Sequence, residues 1–224
     1  MKKLLASLLA VCMILALASC GTQDTTSPTG EKDSAAGTEY DPSASVDFET
    51  KTSDENQIVT IGTIDKSLYS SPILVTSFGQ SVDAGSIQNA LKNNSIEHTY
   101  KPQAAADEIA SYKTLIICVG ASTKGLGAAG INEKDEIARA GAIMQKVKET
   151  GAQVICVHIG GATRRGATSD TLLDLVLPAC SYIVLKEDAN FDYKFTKYAE
   201  ENNIPITLIA ATKNTVQVFG DLLK

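Results

Sequence analysis

Continuous apolar runs separated by stretches with helical spacing constrain the fold of this chain more than any other feature. The runs are 72–77 (PILVTS), 114–119 (TLIICV), 153–158 (QVICVH), 182–185 (YIVL) and 205–209 (PITLI). Uninterrupted apolar strands are typical of parallel sheets that are covered by helices on both faces. The pattern therefore predicts an α/β fold: a doubly wound three-layer sandwich with a mostly parallel sheet of five or six strands.

Further elements fit between and around these strands. Weaker patterns predict an edge strand, a short second strand and a short helix, at 57–64, 97–101 and 104–111. Helical spacing and helix signals predict longer helices at 82–93, 132–150, 169–177, 192–203 and 213–223. Asn132 can cap the helix at 132–150 and Gly151 can end it. The short second unit favours the flavodoxin-like strand order 2-1-3-4-5, with a sixth strand added, over the Rossmann dinucleotide order.

The first twenty residues predict that the protein is exported and anchored at a membrane. Lys2 and Lys3 precede an apolar run at 4–18, which suits a signal peptide and is shorter than the roughly 20 residues that span a bilayer. The following residues, 17–21 (LASCG), resemble the lipobox of bacterial lipoproteins. The resemblance implies a signal peptide at 1–19 and a lipid on Cys20, which places the protein at the cell membrane, on its extracytoplasmic face. An ordinary secretory signal and an N-terminal anchor helix are the alternatives.

Charge separates a tether at 20–56 from a single domain at 57–224. The tether is rich in Ser, Thr, Gly and acidic residues, carries a net charge of −7, and has too little apolar surface to fold. The domain carries a net charge of −1. A nearly neutral domain lacks the basic face that nucleic acid requires, so no nucleic-acid partner is expected.

Four loops, 79–85, 120–130, 158–170 and 186–192, leave the sheet where its parallel strands end, and the first three are rich in glycine; we call this side the carboxyl edge. Ligands of open α/β sheets bind there, at the topological switch point. Glycine permits close backbone approach, and helix N-termini attract anions. The predicted ligand-binding residues are Gly79, Gln80, Ser81, Asp83, Gly120, Ser122, Thr123, Lys124, Gly125, His158, Gly160, Gly161, Arg164, Arg165, Ser169 and Lys186.

The cations of this edge indicate the ligand class. Lys124, Lys186 and the pair Arg164-Arg165 lie beside several helix N-termini in a nearly neutral domain, which points to a small carboxylate or phosphate. In the alternative interpretation the two arginines face solvent or pair with Asp170 and Asp174.

Two motifs resemble parts of enzyme active sites, but each lacks residues that the site would need. Residues 125–130 match G-x-G-x-x-G but follow the third strand, and no acidic residue ends the next strand, so no dinucleotide is expected. His158 ends a strand and could act with Ser81 or Ser122 in a hydrolase triad, yet the G-x-S-x-G elbow is missing. A histidine that holds loop backbone is the alternative, and no catalytic residue is assigned.

Metal ligands and disulfides are not expected either. Asp83, Asp170 and Asp192 share the carboxyl edge, but their spacing matches no metal motif, and two histidines exclude multi-histidine sites. We predict no metal and no cofactor. Cys118, Cys156 and Cys180 are expected to be buried free thiols, with a disulfide between the first two as the alternative.

Residues 72–224 also resemble a family of bacterial exported α/β proteins that is uncharacterised. The resemblance lies in 72–81 (PILVTSFGQS), 113–131 (KTLIICVGASTKGLGAAGI) and 154–170 (VICVHIGGATRRGATSD). It supports the fold and the choice of loops, and it implies no activity.

Three functions remain open. The first is a lipid-anchored binding protein that takes a small anionic solute and presents it to a membrane partner, such as a transporter or a sensor. The second is an extracytoplasmic hydrolase or transferase that uses His158 with a loop serine. The third is a protein-interaction module. The missing catalytic signature favours the first.

Overall fold

The computed structural model describes residues 54–224, so the predicted signal peptide, Cys20 and nearly all of the tether lie outside the described residues. The described residues form an α/β fold around one seven-stranded sheet. Its strands are β1 (Ile58–Ile61), β2 (Ile73–Phe78), β3 (Thr99–Tyr100), β4 (Thr114–Val119), β5 (Gln153–His158), β6 (Tyr182–Lys186) and β7 (Ile206–Ile209).

The sheet has the order β1-β7-β6-β5-β4-β2-β3. Strand β1 runs antiparallel to β7, and every other pair is parallel. The sheet thus has one strand more than the expected five or six, and the edge strand predicted at 57–64 is present as the antiparallel β1. That strand is only partly buried, which explains its weak apolar signal.

The α-helices of the described residues are α1 (Asp83–Asn93), α2 (Thr123–Ala128), α3 (Glu133–Thr150), α4 (Ala167–Val176), α5 (Lys194–Glu201) and α6 (Thr215–Leu223). The predicted signals of α3 are confirmed: the Asn132 side chain accepts a hydrogen bond from the Asp135 N–H, and Gly151 ends the helix in the left-handed region. The predicted short helix at 104–111 is a 3₁₀ helix (Ala106–Ser111). No helix within 54–224 is long and apolar enough to cross a membrane.

Helix α2 corrects the expectation that 120–130 is a loop throughout. The Ser122 hydroxyl caps it by accepting a hydrogen bond from the Gly125 N–H, and the buried Leu126 side chain anchors it. Capping and burial therefore outweigh the low helix propensity of its two glycines.

The two faces of the sheet bury separate cores. Helices α1 and α6 cover one face, where they meet Ile116 of β4. Helices α3, α4 and α5 contribute to the core on the other face, with Leu115 and Ile117. Because alternate residues of a strand point to opposite faces, a strand covered on both sides is apolar at every position.

The helices on the two faces also show where the topological switch point of the sheet lies. Neighbours β2 and β4 run in parallel with Phe78 opposite Val119, but α1 follows β2 onto one face and α3 follows β4 onto the other. The chain therefore diverges at the carboxyl ends of these two strands, which is where α/β sheets bind ligands.

Candidate functional site

The loops after β2 and β4 are pressed together at the switch point. Gly79 has a φ of +100°, and a Cβ there would lie 2.7 Å from the Ala121 Cα and closer still to the Gly120 carbonyl. The Gly79 carbonyl accepts a hydrogen bond of 2.8 Å from the Ser122 N–H. Glycine at position 79 is thus required by its conformation and by close packing between loops.

A buried ion pair on α3, which the sequence patterns do not single out, holds the loop after β2. The Glu136 side chain is fully buried, and its Oε1 accepts hydrogen bonds from the Gly79 N–H at 2.6 Å and from Gln80 Nε2 at 3.1 Å. Arg139 donates to both carboxylate oxygens at 2.8 Å and to the carbonyls of Ala104 and Ser77. Glu136 and Arg139 therefore position the backbone at the carboxyl edge.

This network keeps Glu136 ionised. Burial by itself raises the pKa of a carboxyl group, but the hydrogen bonds from Arg139 and the Gly79 N–H favour the charged form more strongly. Their sum holds the pKa of Glu136 below its usual value.

Next to this network lies a closely packed polar cluster, which we call the switch-point cluster. Its residues are Ser81, Asp83, Gly120, Gly160 and Arg164. Asp83 is 7% exposed, and its Oδ2 accepts a 2.9 Å hydrogen bond from the Ser81 hydroxyl. A Cβ at position 160 would lie 2.9 Å from the same Oδ2 and 2.8 Å from the Arg164 Cβ. The loops after β2, β4 and β5 therefore meet in this cluster.

His158 is placed for structure rather than for catalysis. Its ring is fully buried, and Nδ1 lies 2.8 Å from the Val119 carbonyl, while Nε2 lies 3.4 Å from that of Gly161. The Phe195 ring stacks on it with centroids 5.6 Å apart. Burial lowers the pKa of His158, so the ring is neutral at pH 7.

The hydrolase geometry is not assembled around this histidine. Both ring nitrogens face backbone carbonyls, and within residues 54–224 neither ring nitrogen forms a hydrogen bond with a serine hydroxyl. The hydroxyl of Ser81 donates to Asp83, and that of Ser169 accepts from the Ala121 N–H at 2.9 Å. His158 and Ser169 therefore hold the loops at the carboxyl edge.

The four predicted cations divide into two paired and two unpaired side chains. The Arg165 side chain is 4% exposed and forms ion pairs of 2.7 Å with Asp170 and 2.8 Å with Asp192. Lys186 pairs with Asp188 at 2.8 Å. Among the described residues, Arg164 and the exposed Lys124 form no ion pair.

The environment of Arg165 matches the alternative interpretation of that residue as a pairing partner of Asp170. Its guanidinium also donates to the Ala189 carbonyl at 2.8 Å and lies over the rings of Phe191 and Phe195. The hydrogen bond to Asp192 raises the pKa of Arg165 above its usual value. Arg165 thus joins the loops after β5 and β6.

Replacing Arg165 with glutamine is expected to lower the free energy of unfolding by about 1–2 kcal/mol, because charge-assisted hydrogen bonds are lost while the two carboxylates keep access to water. The neighbouring Arg164→Gln variant is the matched control and should change stability by less than about 0.5 kcal/mol. Urea unfolding of both variants measures the difference. Equal stabilities would contradict a structural role for Arg165.

The remaining predicted residues are distributed along the same edge. Thr123 is exposed in the first turn of α2, next to Lys124. Gly161 has a φ of +71°, and a Cβ there would lie 2.5 Å from the Asp188 carboxylate. The structure thus brings most of the predicted set together around β2, β4 and β5, whereas Arg165 and Lys186 face the loop after β6.

Metal and disulfide chemistry find no support in the described part of the chain. Within 54–224, no group of three or more His, Cys, Asp or Glu side chains could hold a metal ion. Cys118, Cys156 and Cys180 are free and buried, as expected. Cys118 and Cys156 belong to cores on opposite faces of the sheet, which prevents the alternative disulfide.

Comparison with known families identifies the chain's relatives. The model of a family described as "Domain of unknown function (DUF6305)" matches residues 70–223, which is most of the chain. The chain therefore belongs to this family, in agreement with the expected uncharacterised domain. No curated protein matches the chain.

Proposed function

We propose that this DUF6305 member is a lipid-anchored extracytoplasmic binding protein that takes a small anionic solute at the carboxyl edge and works with a membrane partner, a transporter or a sensor. The observation that carries the proposal is the Arg164 guanidinium. It is half-buried at the switch point and forms no ion pair with the described residues, whereas the adjacent Arg165 is fully paired.

The packing of Arg164 supports this role. Its aliphatic stem crosses Gly160, where any side chain would collide with it. The only hydrogen bond of its guanidinium to the described residues is a long one, 3.5 Å from Nη1 to the Ala121 carbonyl. A guanidinium offers five N–H donors, so most remain available for a carboxylate or a phosphate, which arginine grips in bidentate fashion.

Neighbouring elements add positive potential for an anion. The exposed Lys124 lies in the first turn of α2, three residues after Ala121. Helix α4 begins at Ala167, three residues after Arg164, and the positive end of its dipole faces the carboxyl edge. Cations and a helix dipole together favour an anionic solute over a neutral one.

The proposed location comes from the sequence. Residues 17–21 resemble a lipobox, and the acidic segment at 20–56 would hold the domain away from the membrane surface through charge repulsion. A tethered domain of this kind can pass its solute to a partner in the membrane.

We also infer that the fold is a doubly wound three-layer sandwich of the flavodoxin-like type, related to Rossmann-like folds. The order β3-β2-β4-β5-β6-β7 corresponds to 2-1-3-4-5 with a sixth strand added, and helices on both faces support the three layers. In this fold type the ligand lies at the switch point, where Arg164 is found.

Replacing Arg164 with glutamine is expected to weaken binding of the anion roughly 10- to 100-fold, because a charge-assisted hydrogen bond contributes about 1.5–3 kcal/mol. The full chain, purified in detergent, is first screened by thermal shift against small carboxylates, phosphates, nucleosides and sugars. Compounds that raise the melting temperature are then titrated calorimetrically into both proteins. Lys197→Gln, which removes an exposed charge from α5, is the matched control.

An anion that binds the wild type and Lys197→Gln equally, but Arg164→Gln far more weakly, would support the proposal. Failure of every carboxylate and phosphate to bind would overturn it.

A second candidate function, docking of a partner protein at the carboxyl edge, is favoured by two exposed apolar side chains. Val82 after β2 is 77% exposed, and Phe191 after β6 is 63% exposed. Large apolar groups at interfaces often anchor a partner. If no anion binds, this function becomes the better explanation of the edge.

A further inference from the structure

We infer that the solute is a zwitterion, in which an ammonium group binds Asp83 while the anionic group binds Arg164. The inference rests on the proposed function and adds the second charge of the solute. The evidence for that second charge is the environment of Asp83, a buried carboxylate that pairs with none of the cations at the carboxyl edge.

Asp83 is a buried carboxylate that lacks a cation. Its side chain accepts one hydrogen bond from the described residues, that from Ser81, and no lysine, arginine or histidine among them pairs with it. A carboxylate can accept about four hydrogen bonds, so most of its acceptor positions remain open. Its place in the first turn of α1 stabilises the charge only in part.

Glu136 shows how this protein treats a buried carboxylate that serves structure alone. Glu136 receives an arginine, a backbone N–H and a glutamine amide, all within 3.1 Å. Buried charges are costly unless they are paired and hydrogen-bonded in this way. Asp83, in the first turn of α1, receives a single side-chain hydroxyl, that of Ser81. The contrast indicates that a ligand completes the pairing of Asp83.

Asp83 and Arg164 lie beside the same glycine. A Cβ at position 160 would be 2.9 Å from Asp83 Oδ2 and 2.8 Å from Arg164 Cβ, and the two side chains nevertheless form no ion pair. Position 120 is also glycine, and a Cβ there would lie 3.3 Å from Asp83 Oδ2. Two opposite charges therefore lie beside the same stretch of bare backbone without pairing with each other.

A small molecule with one ammonium and one anionic group would satisfy both charges at once. An anion without the ammonium would meet the repulsion of Asp83, and a cation without the anion would meet that of Arg164. Amino acids and short amino carboxylates have this chemistry, and aminoalkyl phosphates have it with a phosphate in place of the carboxylate.

The test uses matched ligands that differ only in the ammonium group. Glycine, β-alanine and 4-aminobutyrate are titrated calorimetrically into the full chain beside acetate, propionate and butyrate, and phosphoethanolamine beside ethyl phosphate. We expect at least one zwitterion to bind about tenfold or more tightly than its partner, since the ammonium forms a charge-assisted hydrogen bond. The best amino carboxylate also reports the spacing of the two charges.

The variant Asp83→Asn keeps the shape of the side chain and removes its charge. We expect it to abolish the advantage of the zwitterion without weakening the simple anion, because the repulsion of Asp83 disappears too. Asp221→Asn on α6 is the control carboxylate and should leave both affinities unchanged. Thermal melting of each variant shows that it is folded.

The outcomes separate this inference from the proposed function. If anions bind through Arg164 but zwitterions bind no better, or if Asp83→Asn weakens both ligands by the same factor, the zwitterion is wrong and the binding protein stands. If no member of either series binds but another anion of the thermal-shift screen does, the zwitterion is again wrong. If no carboxylate or phosphate of the screen binds either, the proposed function itself is overturned.

Discussion

Replacing Glu136 with glutamine is expected to lower the free energy of unfolding by about 3–5 kcal/mol, the largest effect of any single substitution considered for this protein. The variant removes the charge and leaves Arg139 without its counterion in a mostly buried position. It also weakens the hydrogen bond that holds the Gly79 N–H at 2.6 Å. Urea unfolding followed by circular dichroism measures the loss.

The same helix offers a matched control. Glu149 also pairs with a cation three residues away, Lys146, at 2.6 Å, but these side chains are 49% and 34% exposed. Exposed pairs contribute about 0–1 kcal/mol, so Glu149→Gln should be nearly neutral. If the two variants were equally stable, burial would not be what makes the Glu136 pair important.

The contribution of Glu136 to stability should also depend on pH. The pKa of Glu136 is lower in the folded chain than its usual value of 4.5, so the stabilisation is complete above that pH and is lost as the pH falls through the folded value. The stability difference between the wild type and Glu136→Gln should therefore shrink as the pH falls below 4.5.

Replacing Gly125 with alanine is expected to cost about 3 kcal/mol of folding free energy, although alanine is normally the better helix former. A Cβ at this position would lie 2.9 Å from the carbonyl carbon of Gln80 and closer to its oxygen, so one of the two loops at the switch point must move. The backbone of Gln80 cannot yield readily, because Glu136 holds its side chain.

Gly127, two residues further along α2, is the matched control. Nothing lies within 4 Å of the Cβ that alanine would add there, and the residue is exposed. Gly127→Ala should therefore stabilise the protein by about 0.5–1 kcal/mol. Thermal melting of the two variants should give shifts of opposite sign, and shifts of the same sign would contradict the close approach of the loops.

Gly125 and Gly127 belong to the G-x-G-x-x-G motif at 125–130, in which Gly125 and Gly130 have structural roles. Gly125 allows the loops after β2 and β4 to touch, and Gly130, with a φ of +70°, turns the chain between α2 and α3. The glycine pattern is visible in the sequence, but its partner, Gln80, lies 45 residues away and belongs to another strand's loop.

The secondary structure was predictable where the decisive interactions are local. Strand β4 has the predicted bounds, and α3 lies between its predicted cap and stop, since a capping side chain and a left-handed glycine act within a few residues. Helix α2 was missed because Leu126, which anchors it, is buried only in the assembled fold.

The sequence was sufficient to predict which loops form the candidate site. It was not sufficient to predict what each side chain does there. Strand order and the switch-point rule point to the carboxyl edge, and most of the predicted residues do meet there. Glu136 escaped notice because an acid and an arginine three residues apart are typical of exposed helix surfaces. The Gly79 N–H, which donates a hydrogen bond to it in the folded chain, is 57 residues away in the sequence.

By itself, the sequence determined the α/β class, the free cysteines within apolar strands and the edge where the loops collect, because apolar periodicity and turn residues act over short distances. Only the tertiary structure decided which charges are paired. Arg164 and Arg165 are adjacent and chemically identical, yet Arg165 meets Asp170 and Asp192 while Arg164 crosses Gly160. Pairing is set by where distant segments lie in space, and that is fixed when the sheet assembles and brings the ends of its strands together.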